Sequence, residues 1–271
     1  MIAPDQHIRY GEPMIKDNSQ NTNINTYFGR EVINKQDKED RVRAVFNSVA
    51  SKYDLMNDIM SLGAHRIWKN NLIRSLIPQS NWSVLDVAGG TGDIAIRLAK
   101  KAQQRKNKGK ITVCDINEAM MVHGRDNAVN EGLIDNIDWV AGNAEKLPFP
   151  DMHFDVYTIA FGLRNVTNIE VALQEAKRVL RPGGIFFCLE FSQVKNIALA
   201  KLYDNYSFSI LPRIGKIVAN NKGAYEYLVE SIRRFPKQEE LLNMIQDSGL
   251  RHVKYRNLSG GIAAIHSGWR L

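Results

Sequence analysis

The stretch Val84-Leu85-Asp86-Val87-Ala88-Gly89-Gly90-Thr91-Gly92-Asp93, followed by Val113-Cys114-Asp115-Ile116-Asn117, decides the fold. A short apolar run ends in a Gly-rich turn, the turn opens a helical stretch, and a second apolar run ends in an acid. Glycine is needed where the backbone turns sharply and approaches a ligand with no Cβ in the way. An acid about twenty residues beyond such a turn sits where a ribose hydroxyl pair would want a carboxylate acceptor. The pattern is the front half of a nucleotide-binding α/β unit.

Outward from this unit, strands are expected near 83–88, 111–115, 137–141, 154–160 and 184–191, with helices at 92–103, 117–131 and 167–180. Strand alternating with helix predicts a parallel sheet with right-handed crossovers and a ligand at the carboxyl ends of the strands. Upstream, Val42, Val45, Phe46, Val49 and Tyr53, then Ile67, Leu72, Ile73, Leu76 and Ile77, recur at helical spacing, which predicts a helical cap over 39–80. Residues 1–38 are polar and aperiodic and read as a mobile arm. Downstream, Arg181-Pro182-Gly183-Gly184 is a turn signal before the last core strand. A mostly helical insertion, broken at Pro212, is expected over 197–235. A helix over 237–247 and two β runs, 250–257 and 261–267, folded about Ser259-Gly260-Gly261, close the chain as a hairpin. Residues 39–271 thus read as one domain.

Composition narrows the function classes. With 271 residues, 44% hydrophobic and 24% charged, the chain has ordinary globular proportions. No run approaches the ~18 apolar residues of a membrane span. The first residues lack a secretory signal, and their acids argue against a mitochondrial presequence. The expected location is cytoplasmic, with peripheral attachment to the inner membrane left open. Cys114 and Cys188 sit inside apolar runs, as buried free thiols would, and no His/Cys cluster has metal-ligand spacing, so no metal is expected. The net charge of +7 is matched by one run, Arg97 to Lys110, with seven basic residues and no acid. A solvated helix end is its plain reading; contact with an anionic membrane is the alternative, and nucleic acid is not an expected partner.

Two nucleotides compete for the Gly-rich turn. The dinucleotide pattern G-x-G-x-x-G/A is met by Gly90, Gly92 and Ala95, with Asp115 beyond. The S-adenosylmethionine (AdoMet) pattern D/E-x-G-x-G-x-G is met by Asp86, Gly90 and Gly92, with Ala88 in place of the first Gly. A cap ahead of the motif and a closing hairpin match the seven-stranded methyltransferase sheet better than a dinucleotide fold. Asp115 taken alone would serve equally as a helix N-cap.

Longer signatures resemble one family. Phe46-Asn47-Ser48-Val49-Ala50-Ser51-Lys52-Tyr53-Asp54-Leu55-Met56-Asn57-Asp58, Asn143-Ala144-Glu145-Lys146-Leu147-Pro148-Phe149, Phe161-Gly162-Leu163-Arg164-Asn165-Val166 and Leu189-Glu190-Phe191-Ser192 resemble the ubiquinone/menaquinone biosynthesis C-methyltransferases. Tyr206-Ser207-Phe208, Leu211-Pro212-Arg213-Ile214-Gly215 and Tyr227-Leu228-Val229-Glu230-Ser231-Ile232 fit the same family, so the resemblance runs from about Tyr27 to the C-terminus. One departure is Ala160, where the family often has Ser before Phe-Gly-Leu-Arg-Asn. The resemblance implies a Rossmann-like AdoMet-dependent methyltransferase that methylates a ring carbon of a polyprenylated hydroquinone, either a methoxy-benzoquinol or demethylmenaquinol. An NAD-dependent oxidoreductase, or a non-catalytic AdoMet-binding subunit of a quinone-synthesis complex, is the alternative.

The resemblance places cofactor contacts at Thr91, Asp115, Asn143 and Ala144, and the Gly-rich turn adds Gly90. A carbon nucleophile needs ring electron density, which removal of a phenolic proton supplies. Three residues are the catalytic candidates. Asp93 is read as base or as cofactor clamp. Arg164 is read as an electrostatic stabiliser of phenolate charge or as a structural ion pair. Tyr53 is read as a ring-orienting or a packing aromatic. A prenyl channel is expected in the 197–235 insertion. Other quinone-biosynthesis proteins and a second copy of the chain are the remaining partners considered.

Overall fold

The computed structural model describes residues 9–10, 25–28, 31–49, 53–76, 81–104, 109–133, 135–194 and 222–271. The chain order begins with β1 (Arg9–Tyr10), then β2 (Asn25–Phe28) and β3 (Glu31–Asn34), which pair antiparallel. Three cap helices follow: α1 (Lys35–Val49), α2 (Tyr53–Ser61) and α3 (Ala64–Ser75). The core then alternates β4 (Ser83–Val87), α4 (Asp93–Gln104), β5 (Lys110–Asp115), α5 (Glu118–Asn130), β6 (Ile137–Ala141), β7 (Phe154–Ala160), α6 (Ile169–Val179) and β8 (Leu180–Phe191). Helix α7 (Lys222–Arg234), α8 (Gln238–Asp247), β9 (Arg251–Leu258) and β10 (Ala263–Trp269) close the chain.

The sheet order is β1-β6-β5-β4-β7-β8-β10-β9. Strands β4 to β8 are parallel, and β10 runs antiparallel to both β8 and β9. The seven expected strands are present, and β1 adds an eighth by pairing parallel with β6. Side chains alternate across a strand. On β4, Val84 joins the core beneath the cap, α4 and α5, whereas Leu85 and Val87 join the core under α6 and α8. On β8, Phe187, Leu189 and Phe191 face the first layer, while Phe186 and Cys188 face the second. Asn117 and Asn168 start α5 and α6 by accepting the Met120 and Val171 backbone N–H groups.

Several boundaries differ from expectation. Within the arm read over 1–38, β2 and β3 pair antiparallel and α1 begins at Lys35. Phe28 stacks on Tyr227 of α7 with ring centroids 4.6 Å apart, a tertiary contact that polar composition does not reveal. The turn expected at 181–184 lies inside β8, which starts at Leu180 and absorbs it as a register shift between Phe154 and Val156 of β7. Of the 197–235 insertion, residues 197–221 lie outside the described residues, and α7 supplies the rest as a helix. Cys114 and Cys188 are free and buried, and among the described residues there is no metal-ligand cluster. No described helix is long and apolar enough to cross a membrane.

Candidate active site

The turn after β4 is held in a conformation that its glycines allow. Ala88, Gly90 and Gly92 have φ of 51°, 51° and 76°. A Cβ on Gly92 would stand 2.6 Å from the Trp139 ring of β6, and a Cβ on Gly124 of α5 would meet the same ring at 2.6 Å. Trp139 thus clamps the turn to α5, and only glycine leaves room for it. The Gly90 N–H donates to Asp115 Oδ2 at 2.8 Å, and the Asn117 N–H donates to Asp115 Oδ1 at 2.8 Å. Burial lifts the Asp115 carboxyl to about 6, against the pull of these backbone donors. A carboxylate has about four lone-pair sites, so both oxygens keep acceptor capacity for two hydroxyls.

Beside the turn lies a cleft of about 800 Å³ lined by Gly90, Asp115, Asn143 and Ala144, four of the five expected cofactor contacts. Its roof is α1, which contributes Glu39, Val42, Arg43 and Phe46. Two hydrogen bonds fasten the roof: Asn143 Nδ2 donates to Glu39 Oε2 at 3.0 Å, and Asn117 Nδ2 donates to Asn47 Oδ1 at 2.8 Å. The loop below is braced by Glu145, whose Oε1 accepts the Thr167 N–H at 2.8 Å.

A smaller chamber of about 350 Å³ shares Ala88, Gly90 and Phe161 with the cleft and adds Lys69, Asp86, Thr91 and Asp93. Asp86 is fully buried. Its Oδ1 accepts the Thr158 hydroxyl at 2.7 Å, and its Oδ2 has no hydrogen-bond partner among the described residues. Burial raises the Asp86 carboxyl to about 7. An unpartnered buried carboxylate oxygen is costly, and a cationic ligand group in the chamber would compensate it. Thr91, the fifth expected contact, is buried here.

Asp93, at the start of α4, is engaged on both oxygens. Lys69 Nζ donates to Oδ2 at 2.7 Å and Arg97 Nε to Oδ1 at 2.5 Å. Burial works to raise this carboxyl, and the Lys69 and Arg97 charges overcome it and hold it below its usual value. A carboxylate so held is a weak base. Lys69 comes from α3, so this ion pair also ties the cap to the Gly turn.

Among the described residues, Arg164 is not one that lines the cleft or the chamber. Its Nη1 donates to Glu190 Oε1 at 2.7 Å and to the Phe161 carbonyl at 2.6 Å, and both side chains of the pair are at most 2% exposed. Burial pushes Glu190 up and Arg164 pulls against it. The guanidinium sits 5.5 Å from the centre of the Phe191 ring. The pair fixes the turn at Leu163–Asn165, whose Asn165 does reach the cleft. Tyr53 opens α2, and its side chain lies outside the described residues. Ala160 lines the chamber, while two residues earlier Thr158 supplies the hydroxyl that Asp86 accepts.

Sequence reasoning did not find Lys69, Glu39 or Arg43 as site residues. Glu39 and Arg43 sit one helical turn apart and pair at 2.7 Å, a surface-like pattern in the sequence. Lys69 has no signal of its own: its burial appears only when α3 lies across α4.

Solved structures similar to this fold include methyltransferases. A SAM-dependent methyltransferase of Thermotoga maritima superposes with TM-score 0.60 at 18% identity, covering 85% of this chain and all of its own. A SAM-dependent methyltransferase of Aquifex aeolicus gives 0.54 at 18%, covering 80% and 98%. These likenesses are of fold. In sequence, the ubiquinone/menaquinone biosynthesis C-methyltransferase of Roseobacter denitrificans is 51% identical over 93% of this chain and 100% of its own length. The mitochondrial 2-methoxy-6-polyprenyl-1,4-benzoquinol methylase of Dictyostelium discoideum is 48% identical over 93% and 88%. With residues 34–270 matching throughout, the chain belongs to the ubiE/COQ5 methyltransferase family.

Proposed function

We propose that this protein transfers a methyl group from AdoMet to a ring carbon of a polyprenylated hydroquinone in ubiquinone or menaquinone biosynthesis. Family membership supports this reading and sets aside the dinucleotide and non-catalytic alternatives. The observation that supports the cofactor assignment is the unpartnered Asp86 Oδ2, set in a chamber that shares Ala88, Gly90 and Phe161 with the cleft.

Asp115 would hold the ribose hydroxyls, with the Asn143–Ala144 loop beside the base, and Asp86, Thr91 and Asp93 would hold the amino-acid end. When bound, the cofactor supplies an electrophilic methyl group on a positively charged sulfur. The protein's part is placement and water exclusion. Helix α1 roofs the cleft, Trp139 and Gly92 fix the turn, and Arg164 with Glu190 fixes the turn after β7. The two ion pairs of Asp93 favour clamp over base. Arg164, held by Glu190, is assigned as a positioning residue. The long apolar tail of the substrate favours a protein that works at the membrane surface beside other quinone-biosynthesis enzymes.

Calorimetry with AdoMet and with NAD, followed by methyl transfer to short-tailed benzoquinol and naphthoquinol, tests the assignment. AdoMet alone should bind, and label should appear on ring carbon. Binding of NAD instead, or no transfer to either quinol, would overturn it.

A further inference from the structure

The corner between α2 and α3 carries apolar side chains that nothing in the described fold covers. Leu62, in the two-residue link, is 78% exposed, Ile67 on the first turn of α3 is 64% exposed, and Leu55 on α2 is 43% exposed. Leu62 has φ of 51° and the following Gly63 has φ of 77°. Left-handed backbone favours Gly or Asn over a branched apolar residue, so local geometry does not explain a leucine there. Around the corner α2 carries Asp58, which is already paired, and the exposed charges of α3 and β9 are cationic. Arg66 is 57% exposed and holds Asp58 from its outer side. Arg74 is exposed seven residues beyond Ile67, about 10 Å along the same helix face. Arg256 of β9 is exposed and reaches Ser75 Oγ at 3.4 Å, with Lys254 exposed on the same strand face. Helix α3 itself contains no acidic residue.

We propose that the α2–α3 corner docks on an anionic lipid bilayer. Leu62 and Ile67 enter the acyl boundary, and Arg74, Lys254 and Arg256 meet lipid phosphates. Exposed apolar side chains rimmed by basic residues are the composition of an interfacial contact. The inner face of α3 carries Trp68, packed edge-on against Phe191 with centroids 5.7 Å apart, and Lys69, which lines the Asp86 chamber. A helix with its side chains is about 10–12 Å wide, so docking sets the bilayer surface one helix width from the Gly turn. A quinol head could then enter from the lipid while its prenyl tail stays behind. The use of this surface rests on the quinol reading above; the lipid contact itself is measured without any quinol.

The experiment uses the full chain and vesicles of phosphatidylcholine with or without one-third phosphatidylglycerol, scored by flotation at low and high salt. The wild type should float with anionic vesicles, and more weakly with neutral ones or in salt. Leu62→Asn, which suits the left-handed backbone, combined with Ile67→Gln should weaken vesicle affinity roughly tenfold or more. The same variant should melt no lower than wild type and should methylate a short-tailed quinol at the wild-type rate. Vesicle binding that is unchanged in the variant, or absent in the wild type, overturns the proposal. So does a concentration-dependent dimer that the variant dissolves, since a second copy would then own the corner. If vesicle binding depends on Leu62 and Ile67 but no quinol is methylated, the docking stands and the quinol reading fails.

Discussion

Two fully buried carboxylates stand near the carboxyl ends of strands in the same sheet, Asp86 on β4 and Glu190 on β8, and the protein treats them oppositely. Glu190 is complete: Oε1 accepts Arg164 Nη1 at 2.7 Å and the Phe191 N–H at 2.9 Å, and Oε2 accepts the Arg164 N–H at 3.3 Å. Asp86 has one hydroxyl on one oxygen and, among the described residues, no hydrogen-bond partner on the other. Burial raises both carboxyls, yet only Glu190 has a buried cation bonded to it. A satisfied buried charge belongs to the scaffold, because its partner is always present. A buried charge left incomplete costs free energy in the empty protein, and that cost is offset only when a ligand arrives. The comparison separates the half of the sheet edge that shapes the turns from the half that binds.

The largest expected effect tests the complete member. Arg164→Met strands Glu190 as a buried unpaired charge, and removing one partner of such a pair typically costs about 3–5 kcal/mol. Urea unfolding should show that loss. The double variant Arg164→Met with Glu190→Leu should recover most of it, because an apolar replacement of both partners is often neutral. If Arg164→Met keeps wild-type stability but loses turnover, the guanidinium acts on the reaction and the scaffold assignment is wrong.

How much of this was legible in the sequence follows the same division. The strand periods, the Gly turn and the acid at Asp115 are local patterns, and β4, α4, β5 and α5 appear within a residue or two of where those patterns end. The cofactor loop at Asn143–Ala144 was legible from its place after the third strand of the sheet and again through family resemblance. Arg164 was legible as a stabiliser of phenolate charge or a structural ion pair, but its partner was not, since Glu190 lies 26 residues away and meets it through a parallel crossover. Lys69 was illegible, because a lysine on an amphipathic helix usually faces water, and its Asp93 partner reaches it from another layer. The α1 roof was read as cap core: Val42 and Phe46 have core spacing, and the polar latch from Glu39 to Asn143 is a tertiary match between distant segments.

The incomplete member gives the second effect. Asp86→Asn keeps an acceptor for Thr158 and removes the charge facing the chamber. Calorimetry should show AdoMet bound more weakly by about 1.5–3 kcal/mol, the usual worth of a charged hydrogen bond. The pH dependence fixes the sign. Asp86 folds with a pKa raised to about 7, so its contribution to the stability of the empty protein is fully present below about pH 4 and is lost as pH rises through 7. Burial holds His65 and His266 below their ordinary value, and these titrate alike in both chains. Asp115, lifted to about 6, titrates in the same window and its charge raises Asp86, so the difference between wild type and Asp86→Asn reports Asp86 together with that coupling. From pH 5 to 8 the wild type should lose on the order of 2 kcal/mol relative to the variant. Over pH 6 to 8 its AdoMet affinity should rise about tenfold as the carboxylate ionises. A flat difference would mean that Asp86 is already compensated, and the contrast with Glu190 would collapse.

The smallest effect sits on the seam between the two halves. Ala88, which stands where the methyltransferase pattern has its first Gly, is left-handed, and a Cβ placed on Gly162 would come within 2.4 Å of its methyl. Ala88 thus fills space that Gly162 leaves, and the turns after β4 and β7 are fitted to each other. Gly162→Ala should overpack the seam and cost about 1–3 kcal/mol. In the background of Ala88→Gly the same change should cost less than half as much, because the methyl it meets has gone. Ala88→Gly alone should be close to neutral: relief of left-handed strain, about 1–2 kcal/mol, is largely offset by the added freedom of glycine in the unfolded chain. Thermal unfolding of the four chains closes this cycle. An additive result would mean that the turns do not touch in solution, and that the binding half of the edge is set without the scaffold half.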